Sequence, residues 1–137
     1  GMRYQLNPFW DRRQCTKFNG TSYISQRGAE AIYSPEGKVQ VKEIINYYMT
    51  NAKIMREALV SSGLKVYGGE HAPYLWVKTP NGETSWRFFE QLLYGAQVVC
   101  TPGVGFGPAG AGYIRLTSFG ARENCEEAID RIKNWLK

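Results

Sequence analysis

The chain has 137 residues, 43% of them hydrophobic and 21% charged, with a formal net charge of +5. That length and balance suit one globular domain with a core of its own and exclude a disordered or collagen-like chain. No apolar run is long enough to span a membrane, no basic-then-apolar leader opens the sequence, and the Lys and Arg residues are scattered, which argues against nucleic-acid binding.

Residues 1–33 are polar and aromatic at first, with Tyr4, Phe9 and Trp10 among Arg, Asn and Asp. They read as an irregular entry segment with one helical turn. The turn signal Phe18-Asn19-Gly20-Thr21 follows, and Thr21 or Ser22 can cap a helix to about Tyr33. Ser34-Pro35-Glu36 is a helix start: a capping hydroxyl, a proline at the first helical position and a carboxylate at the positive end of the dipole. Val41, Ile44, Ile45, Tyr48, Ala52, Met55 and Leu59 then form one helical face, and Gly63 is its stop.

Leu64–Tyr67 is predicted as a strand and Tyr74–Lys78 as a second, with Gly68-Gly69 between them. Pro80-Asn81-Gly82 turns the chain. Thr84 or Ser85 caps a helix through Leu93, ended by Gly95. Val98–Cys100 is predicted as a third strand, residues 102–112 as a glycine-rich loop, Tyr113–Phe119 as a fourth strand, and residues 122–135 as a last helix. Cys125, Ala128, Ile129, Ile132 and Leu136 face inward on it. The expected fold is α/β of the α+β type: a small, mainly antiparallel sheet with helices packed on one face.

Cys15, Cys100 and Cys125 are far apart and not spaced for zinc or redox chemistry, so no metal is expected. Their odd number suits a reducing, cytoplasmic compartment. His71 is the only histidine, in a turn context beside Gly68-Gly69 and Pro73. The loop Thr101–Gly112 alternates Gly103, Gly105 and Gly107. It lacks the Lys-Ser/Thr ending of a nucleotide loop and leads into a strand, which argues against a phosphate cradle.

Arg115 is the most informative residue. Strand alternation puts it with Tyr113 and Thr117 on one face, opposite Ile114 and Leu116. Either it faces solvent or it is set against an anion, in which case its fork can take a carboxylate through two parallel hydrogen bonds. Asn19 is by itself only a turn asparagine.

Thr16-Lys17-Phe18-Asn19-Gly20-Thr21-Ser22-Tyr23 with Gln26-Arg27-Gly28-Ala29-Glu30-Ala31, Tyr67-Gly68-Gly69, Ala72-Pro73-Tyr74, Pro102-Gly103-Val104-Gly105-Phe106-Gly107-Pro108 and Gly112–Gly120 together resemble the last third of the LL-diaminopimelate aminotransferases. These belong to the class I/II, fold-type I pyridoxal-phosphate enzymes. The resemblance covers nearly the whole chain. It implies a small C-terminal domain over 34–137, entered by a segment, 1–33, that continues from a large cofactor domain. It implies a parent homodimer that moves an amino group between LL-2,6-diaminopimelate and 2-oxoglutarate in lysine biosynthesis. Arg115 matches the arginine that binds the substrate α-carboxylate. Asn19 matches an asparagine contacting substrate and cofactor. Ala111 stands where the family usually has an acidic residue.

The family's cofactor lysine lies in a Ser-x-Ser-Lys segment that this chain lacks. No catalytic residue is therefore expected here, and the chain alone should neither transaminate nor bind pyridoxal 5'-phosphate. Gly1 ahead of Met2 reads as a cloning remnant. Either an upstream part has been removed, or Met2 opens a free-standing domain, derived from an aminotransferase, that binds a carboxylate or another protein.

Overall fold

The computed structural model describes residues 3–17 and 20–137. It divides into two compact units, 1–41 and 42–137, with the boundary inside a long helix.

In the first unit, α1 is Asn7–Lys17, α2 is Tyr23–Ala31, and α3 begins at Pro35 and runs to Ser61. The eleven-residue α1 replaces the single turn expected there. It has no buried residue and no apolar stripe, so hydrophobic periodicity could not reveal it. The Ser22 hydroxyl caps α2 by accepting from Ser25 N. Ser34 caps α3 by accepting from Gly37 N at 3.0 Å. The α2–α3 corner is tight: a Cβ on Gly37 would lie 2.2 Å from the Ala31 carbonyl oxygen.

In the second unit four strands form an antiparallel sheet in the order β1-β2-β4-β3: β1 Val66–Gly68, β2 Tyr74–Lys78, β3 Thr101–Pro102 and β4 Tyr113–Thr117. One face carries Val66, Leu75, Val77, Ile114 and Leu116, all buried. They form one core with Ala52, Met55 and Leu59 of α3, Phe88 of α4 (Ser85–Gln91), and Cys125, Ile129 and Ile132 of α5 (Arg122–Trp135). The expected architecture, a small antiparallel sheet with helices on one face, is the one found.

Three local expectations differ. The α3 stripe is buried only toward its C-terminal end: Ile44 and Ile45 are each more than half exposed. The third strand starts at Thr101, after Val98 N has bonded back to the Leu92 carbonyl. Gly95 does not end the helix; α4 runs on through a π-type turn, Leu92–Ala96, and the left-handed residue is Gln97, at φ 55°. Gly95 has another task. A Cβ there would stand 2.3 Å from Trp135 Nε1, so the missing side chain admits the indole that also packs near Phe88.

One buried polar cluster joins α3 to the end of β4. Asn51 is fully buried. Its Nδ2 donates to the carbonyls of Gly120 (3.1 Å) and Ser118 (3.4 Å), and its Oδ1 accepts from Arg122 Nε at 3.1 Å. The Ser118 hydroxyl donates to the Tyr48 carbonyl at 2.9 Å. Arg122 N donates to the Tyr47 hydroxyl at 2.7 Å. Asn51→Ala strips partners from two carbonyls and a guanidinium at once. It is expected to cost about 2 kcal/mol of stability; an unchanged urea midpoint would show that water takes over those partners.

Cys100 leads into β3 and is half buried, and burial pushes its thiol up from 9.0 to about 12. The folded chain thus favours the protonated thiol. That stabilisation is complete below the unfolded value near 9 and is lost as pH climbs toward 12. At pH 8 iodoacetamide is expected to label the exposed Cys15 and to spare Cys100 until urea unfolds the chain. Equal labelling rates in the folded state would contradict this.

Candidate functional site: the open face of the sheet

The face of the sheet turned away from the core carries Tyr67 of β1, Tyr74 and Trp76 of β2, and Tyr113 and Arg115 of β4. Alternation dictates this: each residue lies beside a buried one in sequence and points the other way. Arg115 sits on an inner strand, opposite Trp76 of β2 and Thr101 of β3.

Arg115 is half buried. Its Cζ lies 4.2 Å from the centre of the Phe106 ring and 4.7 Å from that of Tyr74. Among the described residues no carboxylate pairs with it. The side chain thus lies on the open face, between the two extremes that alternation left open, and is held by rings with no carboxylate set against it among the described residues. The cation is flanked by aromatic rings, which attract it through their faces and limit its rotation without using up its N–H groups. A guanidinium so placed can offer its fork to an anion.

Phe106 comes from the glycine-rich loop, which is built as two short 3-10 turns, Gly103–Phe106 and Pro108–Gly110. Gly107 joins them at φ 110°, a conformation that side chains disfavour. The loop's base is closed by backbone against backbone: a Cβ on Gly103 would lie 2.2 Å from the Gly110 oxygen, and one on Gly110 would lie 2.0 Å from the Gly103 oxygen. Phe106 also packs edge-on to Trp76 at 5.3 Å, and Trp76 approaches Tyr113 at 6.5 Å. With Tyr67, Ala109 and Gly110 these rings line a pocket of about 470 Å3.

Sequence reasoning missed Ser85. It is buried at the start of α4, which Thr84 caps by accepting from Arg87 N. The Ser85 Oγ donates to the Gly110 carbonyl at 3.2 Å and accepts from Gly112 N (3.1 Å) and Tyr113 N (3.3 Å). It read only as an alternative cap; no local signal links it to a loop more than twenty residues on. Tyr74 and Phe106 were legible as strand and loop aromatics but not as the walls around Arg115.

Five amides at the end of the glycine-rich loop and the start of β4 are engaged: Gly107 N with Val104, Gly110 N with Gly107, Ala111 N with Pro108, and Gly112 N and Tyr113 N with Ser85. Asn19 lies outside the described residues. His71 is exposed. Among the described residues no cluster of His, Cys, Asp or Glu could hold a metal ion, and no helix is long and apolar enough to cross a membrane.

This geometry sits within a chain that has many relatives. The family model described as aminotransferase class I and II matches residues 12–132. The LL-diaminopimelate aminotransferase of Bacteroides thetaiotaomicron is 73% identical over 99% of this chain and 33% of its own length. That of Methanosphaera stadtmanae is 59% identical over 96% of this chain and 32% of its own. Among solved structures, the L,L-diaminopimelate aminotransferase from Chlamydomonas reinhardtii superposes with a TM-score of 0.90 at 43% identity, over 94% of this chain and 32% of that one. An aromatic aminotransferase from Pyrococcus horikoshii gives 0.83 at 27% identity, over 94% of this chain and 35% of that one. The chain thus spans about a third of the length of the curated relatives it matches. Matched by the family model over most of its length and alike in fold to solved members, the chain belongs to the class I and II aminotransferases.

Proposed function

We propose that the chain is the C-terminal part of an LL-diaminopimelate aminotransferase, in which it binds the α-carboxylate of both the amino-acid and the 2-oxo-acid substrate. The observation that carries this reading is Arg115: half buried, flanked by Tyr74 and Phe106, and without a carboxylate partner among the described residues. The identity of 73% to a protein of that name supports diaminopimelate as the amino donor, and the family resemblance supports 2-oxoglutarate as the acceptor.

In this reading the Arg115 fork makes two parallel hydrogen bonds to the substrate carboxylate, which fixes two atoms of the ligand and leaves one rotation about the carboxylate–Cα bond. Phe106 and Tyr74 hold the fork from turning away and keep water from its faces. The grip is the same for amino acid and oxo acid, since both carry the carboxylate. Asn19 is proposed to contact substrate and cofactor. Pyridoxal 5'-phosphate, in the complete enzyme, supplies the electron-withdrawing ring that such amino exchange requires. The lysine that would hold it is assigned to the part preceding this chain, so residues 1–33 are read as the entry from a cofactor domain and 34–137 as the small domain. The complete protein is read as a cytoplasmic homodimer.

The decisive test replaces the last third of the Bacteroides thetaiotaomicron enzyme by this chain. The hybrid is expected to exchange the amino group of LL-diaminopimelate with 2-oxoglutarate, and the 137-residue chain alone to show no exchange. Arg115→Gln in the hybrid should lower kcat/KM by about 100-fold or more, the scale of a lost charged, bidentate hydrogen bond. Activity within a few-fold of the unsubstituted hybrid would remove the carboxylate role. In solution the chain alone should form dimers or larger species, because Tyr4, Phe9 and Trp10 are each more than 60% exposed. Sedimentation as a clean monomer at high concentration would count against that.

A further inference from the structure

Among the described residues the Arg115 guanidinium has no hydrogen-bonding partner to aim it, so its aim comes from its walls. Tyr74 is on the neighbouring strand and is fixed by the sheet. Phe106 is on a loop, and a loop residue holds a cation in place only as well as the loop itself is held. Three features fix that loop. Gly103 and Gly110 meet backbone to backbone at its base. Gly107 and Gly112 take positive φ, at 110° and 74°, so that the chain can fold back and return into β4. The third feature is a side chain from a different element, Ser85.

The Ser85 hydroxyl is buried and uses its full capacity, one bond donated to the loop at Gly110 and two accepted from Gly112 and Tyr113. Those three residues are the last of the loop and the first of the strand that carries Arg115, two positions before it. A single oxygen therefore ties the end of the Phe106 loop to the start of the Arg115 strand, and ties both to α4. We propose that Ser85 is the positioning residue of the Arg115 carboxylate clamp: by fixing Gly110, Gly112 and Tyr113 it holds Phe106 over the guanidinium. The proposal rests on the carboxylate reading of Arg115 given above for its functional meaning, and on the observed contacts for its structural content.

Two arms separate the two levels. The first uses isotope-labelled 137-residue chain and follows the Arg115 side-chain resonances, which lie in the ring-current field of Phe106. Phe106→Leu should displace them. Ser85→Ala should displace them in the same direction by at least half as much, and the double variant should add nothing to Phe106→Leu alone, since both act through one ring. Unmoved Arg115 resonances in Ser85→Ala, or displacements that simply add, would overturn the proposal. If Ser85→Ala does not fold, Ser85→Cys, which keeps a weak donor and acceptor in place, is read in the same cycle.

The second arm titrates glutarate. Loss of its effect in Arg115→Gln, and affinity weakened about fivefold in Ser85→Ala, are the expected results. Unchanged glutarate affinity in Ser85→Ala would overturn the positioning role. No response to glutarate in the unsubstituted chain would instead sink the carboxylate reading, and the first arm would still decide whether Ser85 aims the side chain.

Discussion

A guanidinium held between aromatic faces, with no carboxylate partner among the described residues, is the constraint around which the second unit is arranged. Leaving a cation half buried without a counter-charge is unfavourable unless something compensates. Here Phe106 and Tyr74 supply part of that compensation through their ring faces. They do so without occupying the N–H groups, which an acidic neighbour would have done. A salt bridge inside the fold would have stabilised Arg115 and closed it to any ligand.

The rest of the unit makes that arrangement rigid. Arg115 lies on an inner strand, and that strand is paired on both sides, with β2 and with β3. The strand's far side is anchored in the core through Ile114 and Leu116. Its C-terminal end is held to α3 by Asn51 and Ser118, and its N-terminal end to α4 by Ser85. The buried Asn51, Ser118 and Ser85 side chains at its two ends all have hydrogen-bond partners, which favours one arrangement over many.

Much of this was legible in the sequence, and the limits have physical reasons. The strand around Arg115, its partner Tyr74–Lys78 and the α5 face follow from alternation and helical spacing, because one side of each is buried. The cap at Ser34-Pro35 is a local signal and holds. Helix α1 escaped because it buries nothing, so no pattern marks it. Gly95 was misread because a glycine needed for close packing and one needed for a turn look alike in a sequence; only the neighbour, Trp135, tells them apart. Ser85 was read as a cap because its true partners are distant in the chain. The role expected of Arg115 came from resemblance, and the walls that give it physical sense came from the fold.

The fit of Trp135 over Gly95 has a practical corollary for anyone handling the protein. The indole fills a gap left by a missing methyl group and packs near Phe88, so it joins the end of α5 to α4 and the turn that continues it. Trimming back past Trp135 would uncork the space above Phe88 and unseat α5.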